Sequence, residues 1–483
     1  MVFSSAAFLF AFFPVLFVIY RLVPGHRAKN AVLIVFSLLF YAFGGLKFVP
    51  LLLASVLVNW LAGRLLGKME KHRRVIATVA VVLDIGLLCV YKYLNFFIGN
   101  INALTGASLA EVSLSLPLGI SFFTFTGLSY VIEVYRKPKN MAKSFWKVLL
   151  YISLFPNLLA GPIVGYKTAA PQLESRETNP ELTASGLRRF IVGMGKKVLI
   201  ADILGVAVDA VFSQELMDAR IAWLAAVAYA LQIYFDFSGY SDMALGIGNM
   251  FGFKFPENFN RPYIARNMTD FWKRWHISLT TWFRNYLYMP MVMSKPLQKL
   301  YKKWSAKYGR QKANKFSIII PMTVVWLLTG LWHGAAWTYV LWGVWQGVWC
   351  ALEGVGIIST SWFEQSKFRR VLGHIYTLIV VLLGVVLFRA GSIPQAVSIV
   401  GAMFGGWSFA PEATLFLQRH FTGLVFASLA AGLIGSTTVM SKVKKLAGKA
   451  GEPLSYVLCA GVFALCVLCM AGNGFAPFIY LQF

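Results

Sequence analysis

Acidic side chains are scarce in this chain of 483 residues: 19 Asp and Glu stand against 45 Lys and Arg, for a formal net charge of +26. Charged residues of both signs make up only 13% of it, about half the share of a soluble protein, and no soluble domain has room to fold between the apolar runs. Cysteines are few. Cys89, Cys350, Cys459, Cys466 and Cys469 all lie in apolar surroundings and read as small buried hydrophobes more readily than as metal or redox groups. The six histidines (His26, His72, His276, His333, His374, His420) have no ligand spacing, and neither an HExxH motif nor a cysteine pair accompanies them, so no metal is expected. No basic segment precedes the first apolar run, so the start Met1-Val2-Phe3-Ser4-Ser5 reads as a membrane helix and not a cleaved signal. Internal repeats and low-complexity tracts are also absent.

Apolar side chains are what the chain has in quantity. Hydrophobic residues reach 58% and the mean hydropathy is +0.65, the signature of a polytopic membrane protein. Aromatics are 16%, but the apolar runs are continuous and do not alternate, which points to helices and away from a barrel. The expected fold class is all-α and polytopic, with roughly eleven to thirteen membrane helices and re-entrant segments. Spans are expected near 3–20, 31–45, 48–67, 75–98, 114–135 and 145–165, so residues 1–165 read as scaffold. Polar and charged residues enter aromatic-rich segments over 220–355, the expected core, and 371–483 reads as C-terminal helices.

The basic residues gather in alternate loops: Arg21 to Lys29, Arg64 to Arg74, Arg136 to Lys143, Lys295 to Lys315, Lys367 to Arg370 and Lys442 to Lys449, whereas Gly99 to Ser113 contains none. This positive-inside pattern predicts a multi-pass protein of the cytoplasmic (inner) membrane with both termini outside the cytoplasm. The charge is thereby assigned to topology and to membrane lipid, and nucleic acid is not expected as a partner.

Chemistry is expected where ionisable groups enter apolar segments, because such placements are costly and mark working sites. His333 lies within Leu327-Leu328-Thr329-Gly330-Leu331-Trp332-His333-Gly334-Ala335-Ala336-Trp337; a packed, hydrogen-bonded histidine is the alternative. The run Gln232-Ile233-Tyr234-Phe235-Asp236-Phe237-Ser238-Gly239-Tyr240-Ser241-Asp242 places two carboxylates at or near the end of an apolar helix, where both need partners or water. Residues 256–266 read as an irregular connection, followed by an aromatic helix from about Thr269 to Tyr288. Helical spacing would put Trp272, His276, Leu279 and Phe283 on one face and Lys273, Ile277, Thr280 and Arg284 on another. Such a helix could lie in the membrane interface, or dip inward with His276 facing a tunnel.

Four separated motifs, read together, resemble the membrane-bound O-acyltransferase (MBOAT) family, in particular its bacterial alginate O-acetyltransferase branch. They are Phe235-Asp236-Phe237-Ser238-Gly239-Tyr240-Ser241-Asp242-Met243-Ala244; Phe255-Pro256-Glu257-Asn258-Phe259-Asn260 with Pro262-Tyr263; Asp270-Phe271-Trp272-Lys273-Arg274-Trp275-His276; and Gly330-Leu331-Trp332-His333-Gly334. The opening pentapeptide, Phe388-Arg389-Ala390 and the ending Phe478-Ile479-Tyr480-Leu481-Gln482-Phe483 extend the likeness over nearly the whole chain. Asn285 stands where the family pattern has an aspartate, and Met289-Pro290-Met291-Val292 replaces a proline-leucine-glycine turn.

The resemblance implies a single domain over 1–483, built as a ring of helices around a transmembrane tunnel. It implies O-acyl transfer, with His333 as the catalytic histidine and His276 as the second family histidine. Acetyl-coenzyme A is the implied co-substrate, with no tightly bound cofactor, and Lys273, Arg274 and Arg284 are candidates for its phosphates. Asp236, Ser238, Asp242, Trp275, Asn285 and Trp332 are candidates for the tunnel lining, and His276, Trp275 and Asn285 for stabilising an oxyanion. The implied partner is an extracytoplasmic acetyltransferase of the SGNH-hydrolase type, or a polysaccharide-modification complex, that places the group on alginate or another envelope glycan. A proton-coupled transporter using Asp236, Asp242 and His333, or a structural platform, are the other readings.

Overall fold

Inside a bilayer, backbone amides and carbonyls find no water, so each apolar run must satisfy them internally as a helix. A computed structural model describes residues 1–214, 217–448, 451–473 and 478–479, and every regular element among them is helical. Tyr480 to Phe483 of the family-like ending, and Lys449 of the last basic loop, lie outside the described residues.

Among the described residues, six continuous helical stretches are long and apolar enough to cross a membrane: His26–Lys68, Glu70–Thr105, Ala219–Met250, Arg310–His333, Lys367–Arg389 and Gly451–Gly472. Shorter apolar helices are Phe8–Leu22, Ile393–Gly405 and Gly423–Gly435. The first stretch, of 43 residues, is two helices, His26–Gly45 and Val49–Lys68, separated at Gly45 with φ +151°. The single span expected over 145–165 is instead Phe145–Ser153 and the short Phe155–Leu158 with irregular chain after it, because Pro156 cannot continue the first helix.

The chain divides into two compact units. The first comprises Met1–Met194, Tyr240–Pro256 and Met470–Phe483. Its core is aromatic: Phe3, Phe8, Phe40 and Phe155 are all buried, and Phe3 stacks on Tyr240 at 4.7 Å. Arg176 is buried here with its charge dispersed, donating through Nε to the Tyr20 hydroxyl (3.0 Å) and through Nη1 to Asn30 Oδ1 (2.7 Å), while lying 4.4 Å from the Phe253 ring centre. Such a cation is tolerated inside because Nε and Nη1 are hydrogen-bonded and the aromatic faces share the charge, Nη2 having no hydrogen-bond partner among the described residues.

The second unit comprises Gly195–Gly239 and Glu257–Cys469. Its central feature is a tight hairpin of the helices Ile319–His333 and Trp337–Val355. Gly330 permits the approach: a Cβ there would lie 2.4 Å from the Tyr339 carbonyl oxygen. At the far end of the hairpin, buried Glu353 accepts hydrogen bonds from the Met268 and Thr269 amides (2.7 and 2.8 Å), the Thr269 hydroxyl (2.7 Å) and the Tyr376 hydroxyl (3.1 Å). One carboxylate therefore ties the hairpin to the helix Lys367–Arg389 and to the segment that leads to His276.

Candidate active site

His333 is the last residue of Ile319–His333, and the chain turns at once through Gly334 into the next helix. Gly334 is required by space, since a Cβ there would lie 2.2 Å from the Tyr339 ring. The turn presses the imidazole into an aromatic box. The rings of Trp332, Trp342 and Phe388 stand at 4.9, 4.9 and 5.0 Å from it, edge-on in each case, and His333 is only 4% exposed.

His276 does not lie on a continuous helix as its spacing suggests. The segment breaks into Met268–Trp272 and Ile277–Phe283, with His276 between them in the left-handed region (φ +43°, ψ +51°). Helical periodicity is thus lost at the residue of interest, and His276 does not share a helical face with Trp272. Histidine is one of the few residues that enter this region without glycine. The turn is held by the neighbouring connection: the Ile277 amide donates to the Asn258 carbonyl and the Asn260 amide to the Arg274 carbonyl, both at 2.9 Å. The irregular connection read from Pro256 onward is therefore a clamp on the turn.

Asn258 also fixes the protonation pattern of His276. Its Oδ1 is 3.1 Å from the Ser278 amide nitrogen, 2.9 Å from the Ser278 hydroxyl and 3.2 Å from His276 Nδ1. A backbone N–H can only donate, so the atom facing it must be the amide oxygen. His276 Nδ1 must then carry the proton, and in the neutral ring Nε2 holds the lone pair. Burial pushes the His276 pKa down to about 3, because an imidazolium would lose its hydration there; the ring is neutral at physiological pH. A neutral imidazole with its lone pair on Nε2 accepts a hydrogen bond or proton at that atom, which argues against His276 as an oxyanion donor through Nε2.

The two histidines meet one tryptophan. The Trp332 ring lies 6.0 Å from His276 and 4.9 Å from His333, so the imidazoles are no more than about 11 Å apart. Phe237 also packs on His276, edge-on at 4.6 Å. Of the residues expected to line a tunnel, Trp332 belongs to this centre. Trp275 instead packs among Phe259, Phe271, Tyr234 and Tyr263, and Asn285 is exposed. Ser238 is buried, and its hydroxyl has no hydrogen-bond partner among the described residues.

The two carboxylates of the Asp236-to-Asp242 run have separate cations. Asp236, 1% exposed, meets Lys197 at 2.8 Å, and Lys197 also meets Asp202 at 2.6 Å. Lys197 and Asp202 are five apart across the π-helical segment Lys196–Ala201, whose wider turn brings such residues together. Asp242 pairs with Arg189 at 2.8 Å. Among the cations proposed for donor phosphates, Lys273 and Arg274 line a cavity of about 440 Å³ together with Arg266, Asn267, Thr269 and Glu364; Arg284 is not part of its wall. Arg274 is paired with Asp270 and Arg266 with Glu364.

Residues 112–304 match the MBOAT, membrane-bound O-acyltransferase family. The chain is also 35% identical to the probable alginate O-acetylase AlgI of Pseudomonas putida, over 100% of both proteins. The chain belongs to the membrane-bound O-acyltransferase family. It falls in the alginate O-acetyltransferase branch and is an O-acyltransferase with several membrane-crossing helices. The peptidoglycan O-acetyltransferase of Helicobacter pylori is 32% identical over 87% of this chain and 84% of its own length. The teichoic acid D-alanyltransferase of Bacillus subtilis is 30% identical over 48% of this chain and 57% of its own.

Sequence reasoning did not single out Asn258, Ser278, Trp342, Phe388, Glu353 or Lys197. Asn258 and Phe388 stood inside family motifs, so a signal existed without a role. Lys197, immediately before the apolar run Val198-Leu199-Ile200-Ala201 and five before Asp202, is legible only as a charge in need of a partner.

Proposed function

We propose that this O-acyltransferase takes an acetyl group from a cytosolic thioester, acetyl-coenzyme A by preference, and passes it across the inner membrane for O-acetylation of an envelope glycan such as alginate. The observation that carries this reading is the pair of buried imidazoles flanking Trp332 in a chain similar over its full length to a probable alginate O-acetylase.

In this reading His333 is the general base. It takes the proton of the acceptor hydroxyl as that oxygen attacks the thioester carbonyl, and returns it to the departing coenzyme A thiolate when the tetrahedral intermediate collapses. The products are an O-acetyl ester and free thiol. General-base help of this kind contributes about 10²- to 10⁴-fold, and the aromatic walls exclude the water that would hydrolyse the thioester. His276, accepting through Nε2 from an amide N–H of the bound donor's pantetheine arm, orients the thioester for that attack. Lys273 and Arg274, with Arg266, bind the phosphates of the donor in the cavity they line, and Arg284 is left as an outer cation. The acetyl group of that ester then passes to an extracytoplasmic partner acetyltransferase of the SGNH-hydrolase type, which regenerates the acceptor hydroxyl, with both termini of this chain on that side.

The test is breakdown of labelled acetyl-coenzyme A by the purified protein in lipid, with and without a candidate partner. Loss in His333→Ala with folding retained supports the assignment. Equal activity in the variant removes His333 from the chemistry.

A further inference from the structure

Away from the histidines, the second unit carries a basic helical pair that the acyl-transfer reading does not use. The helices Lys295–Tyr308 and Arg310–Ser317 hold eight cations (Lys295, Lys299, Lys302, Lys303, Lys307, Arg310, Lys312 and Lys315) and no acidic residue. Among the described residues, none of the eight forms an ion pair. Lys315 is committed locally: a Cβ on Gly356 would lie 2.9 Å from its ammonium, which places the charge at the C-terminal end of Trp337–Val355, where the helix dipole favours it.

The pair is not merely charged, because with the start of the helix Ile319–His333 it borders an open cleft of about 610 Å³ lined by Trp304, Tyr308, Lys312, Phe316, Ile319 and Ile320. Its aromatic walls are ordered against each other, Phe316 meeting Trp304 at 6.3 Å and Tyr308 at 6.4 Å. Two walls, Ile319 and Ile320, are the first residues of the apolar helix that ends at His333. The cleft therefore sits at the polar end of the membrane-crossing stretch Arg310–His333, with one cation on its wall. Aromatic rings and lysines at the end of a crossing helix occupy head-group depth, and clusters of four to eight cations beside such a helix recruit anionic lipid.

We propose that this cleft is a binding site for one anionic phospholipid, with an acyl chain against Trp304, Phe316 and Ile320 and the phosphate head group on Lys312. An acidic protein would find the charge but would have no reason to fill a cleft walled by Trp304, Tyr308, Phe316, Ile319 and Ile320 at the end of a helical stretch apolar enough to cross a membrane, so the lipid is the occupant the walls select. The site is independent of the acyl-transfer assignment.

The experiment uses the full chain in detergent, titrated with phosphatidylglycerol or phosphatidylcholine brominated on the acyl chain, reading the tryptophan quenching that disappears in Trp304→Phe. Expected is half-quenching of that component at about fivefold lower mole fraction for phosphatidylglycerol, the preference one near-surface cation supplies. Lys312→Gln, an exposed position that leaves Trp304 in place, should abolish the preference, and millimolar inorganic phosphate should not displace the lipid. Equal quenching by both lipids, no Trp304-dependent component, a preference unchanged in Lys312→Gln, displacement by free phosphate, or occupation of the surface by a copurifying acidic protein would each overturn the proposal.

Discussion

Replacing Asn258 by alanine tests the link between structure and chemistry most directly. The change removes one acceptor that serves three buried donors: the Ser278 amide, the Ser278 hydroxyl and His276 Nδ1. Each donor left without a partner costs about 1–3 kcal/mol, so the turn should lose at least about 3 kcal/mol, visible as a lower thermal midpoint. The catalytic consequence is separate. Without Asn258 the proton of His276 is no longer held on Nδ1, and loss of one tautomer-selecting hydrogen bond of about 1–1.5 kcal/mol lowers kcat about tenfold. KM for the thioester should stay within about twofold, an allowance of roughly 0.4 kcal/mol. Asn258→Asp keeps all three contacts but sets a carboxylate beside Nδ1–H, which favours the imidazolium and raises the His276 pKa from about 3. The acidic limb of the rate profile should therefore move to higher pH in Asn258→Asp, because the lone pair on Nε2 exists only above that pKa. The assay is acetyl-coenzyme A breakdown across pH, with the folded fraction measured alongside. An Asn258→Ala protein that melts lower but keeps wild-type kcat, together with an unshifted profile in Asn258→Asp, would refute the argument and leave Asn258 a purely structural clamp.

Lys197→Met takes the cation from buried Asp236 and half-buried Asp202 and should cost about 3–5 kcal/mol; the triple variant Lys197→Met, Asp202→Asn, Asp236→Asn should melt higher than the single one, and thermal unfolding in detergent decides. Glu353→Gln turns one of two oxygens, each of which accepts from two donors, into an amide nitrogen facing those donors, and should lower stability by about 1–3 kcal/mol by the same measurement. Gly334→Ala forces the Tyr339 ring away from a contact of 2.2 Å, an overpacking cost of about 1–3 kcal/mol, and should reduce turnover by displacing His333. Part of that turnover should return when Tyr339→Ala is added, because the space is restored.

The Thr269–Tyr288 segment marks where reading the sequence stops working. Its aromatic and basic residues recur at helical spacing, and two helices do form there, but the spacing cannot reveal that His276 turns left-handed between them. The reason is that the break is stabilised from outside, by hydrogen bonds to Asn258 and Asn260, against local preference. Asp236 and Asp242 give a similar lesson. Their need for partners was legible from a charge in an apolar run; their separate cations, Lys197 and Arg189, come from 39 and 53 residues away and no local pattern names them.

By itself the sequence determined the solvent and the class of element: apolar runs in lipid must be helices, because backbone groups have no other partner there. It also determined the family, through motifs that together cover nearly the whole chain. Only the tertiary structure decided that Trp332 meets both histidines, that Phe388 closes the box around His333, and that the proton of His276 sits on Nδ1. Those facts depend on side chains brought together from segments far apart in the chain, and neither composition nor periodicity encodes which distant residue supplies a wall, a charge or an acceptor.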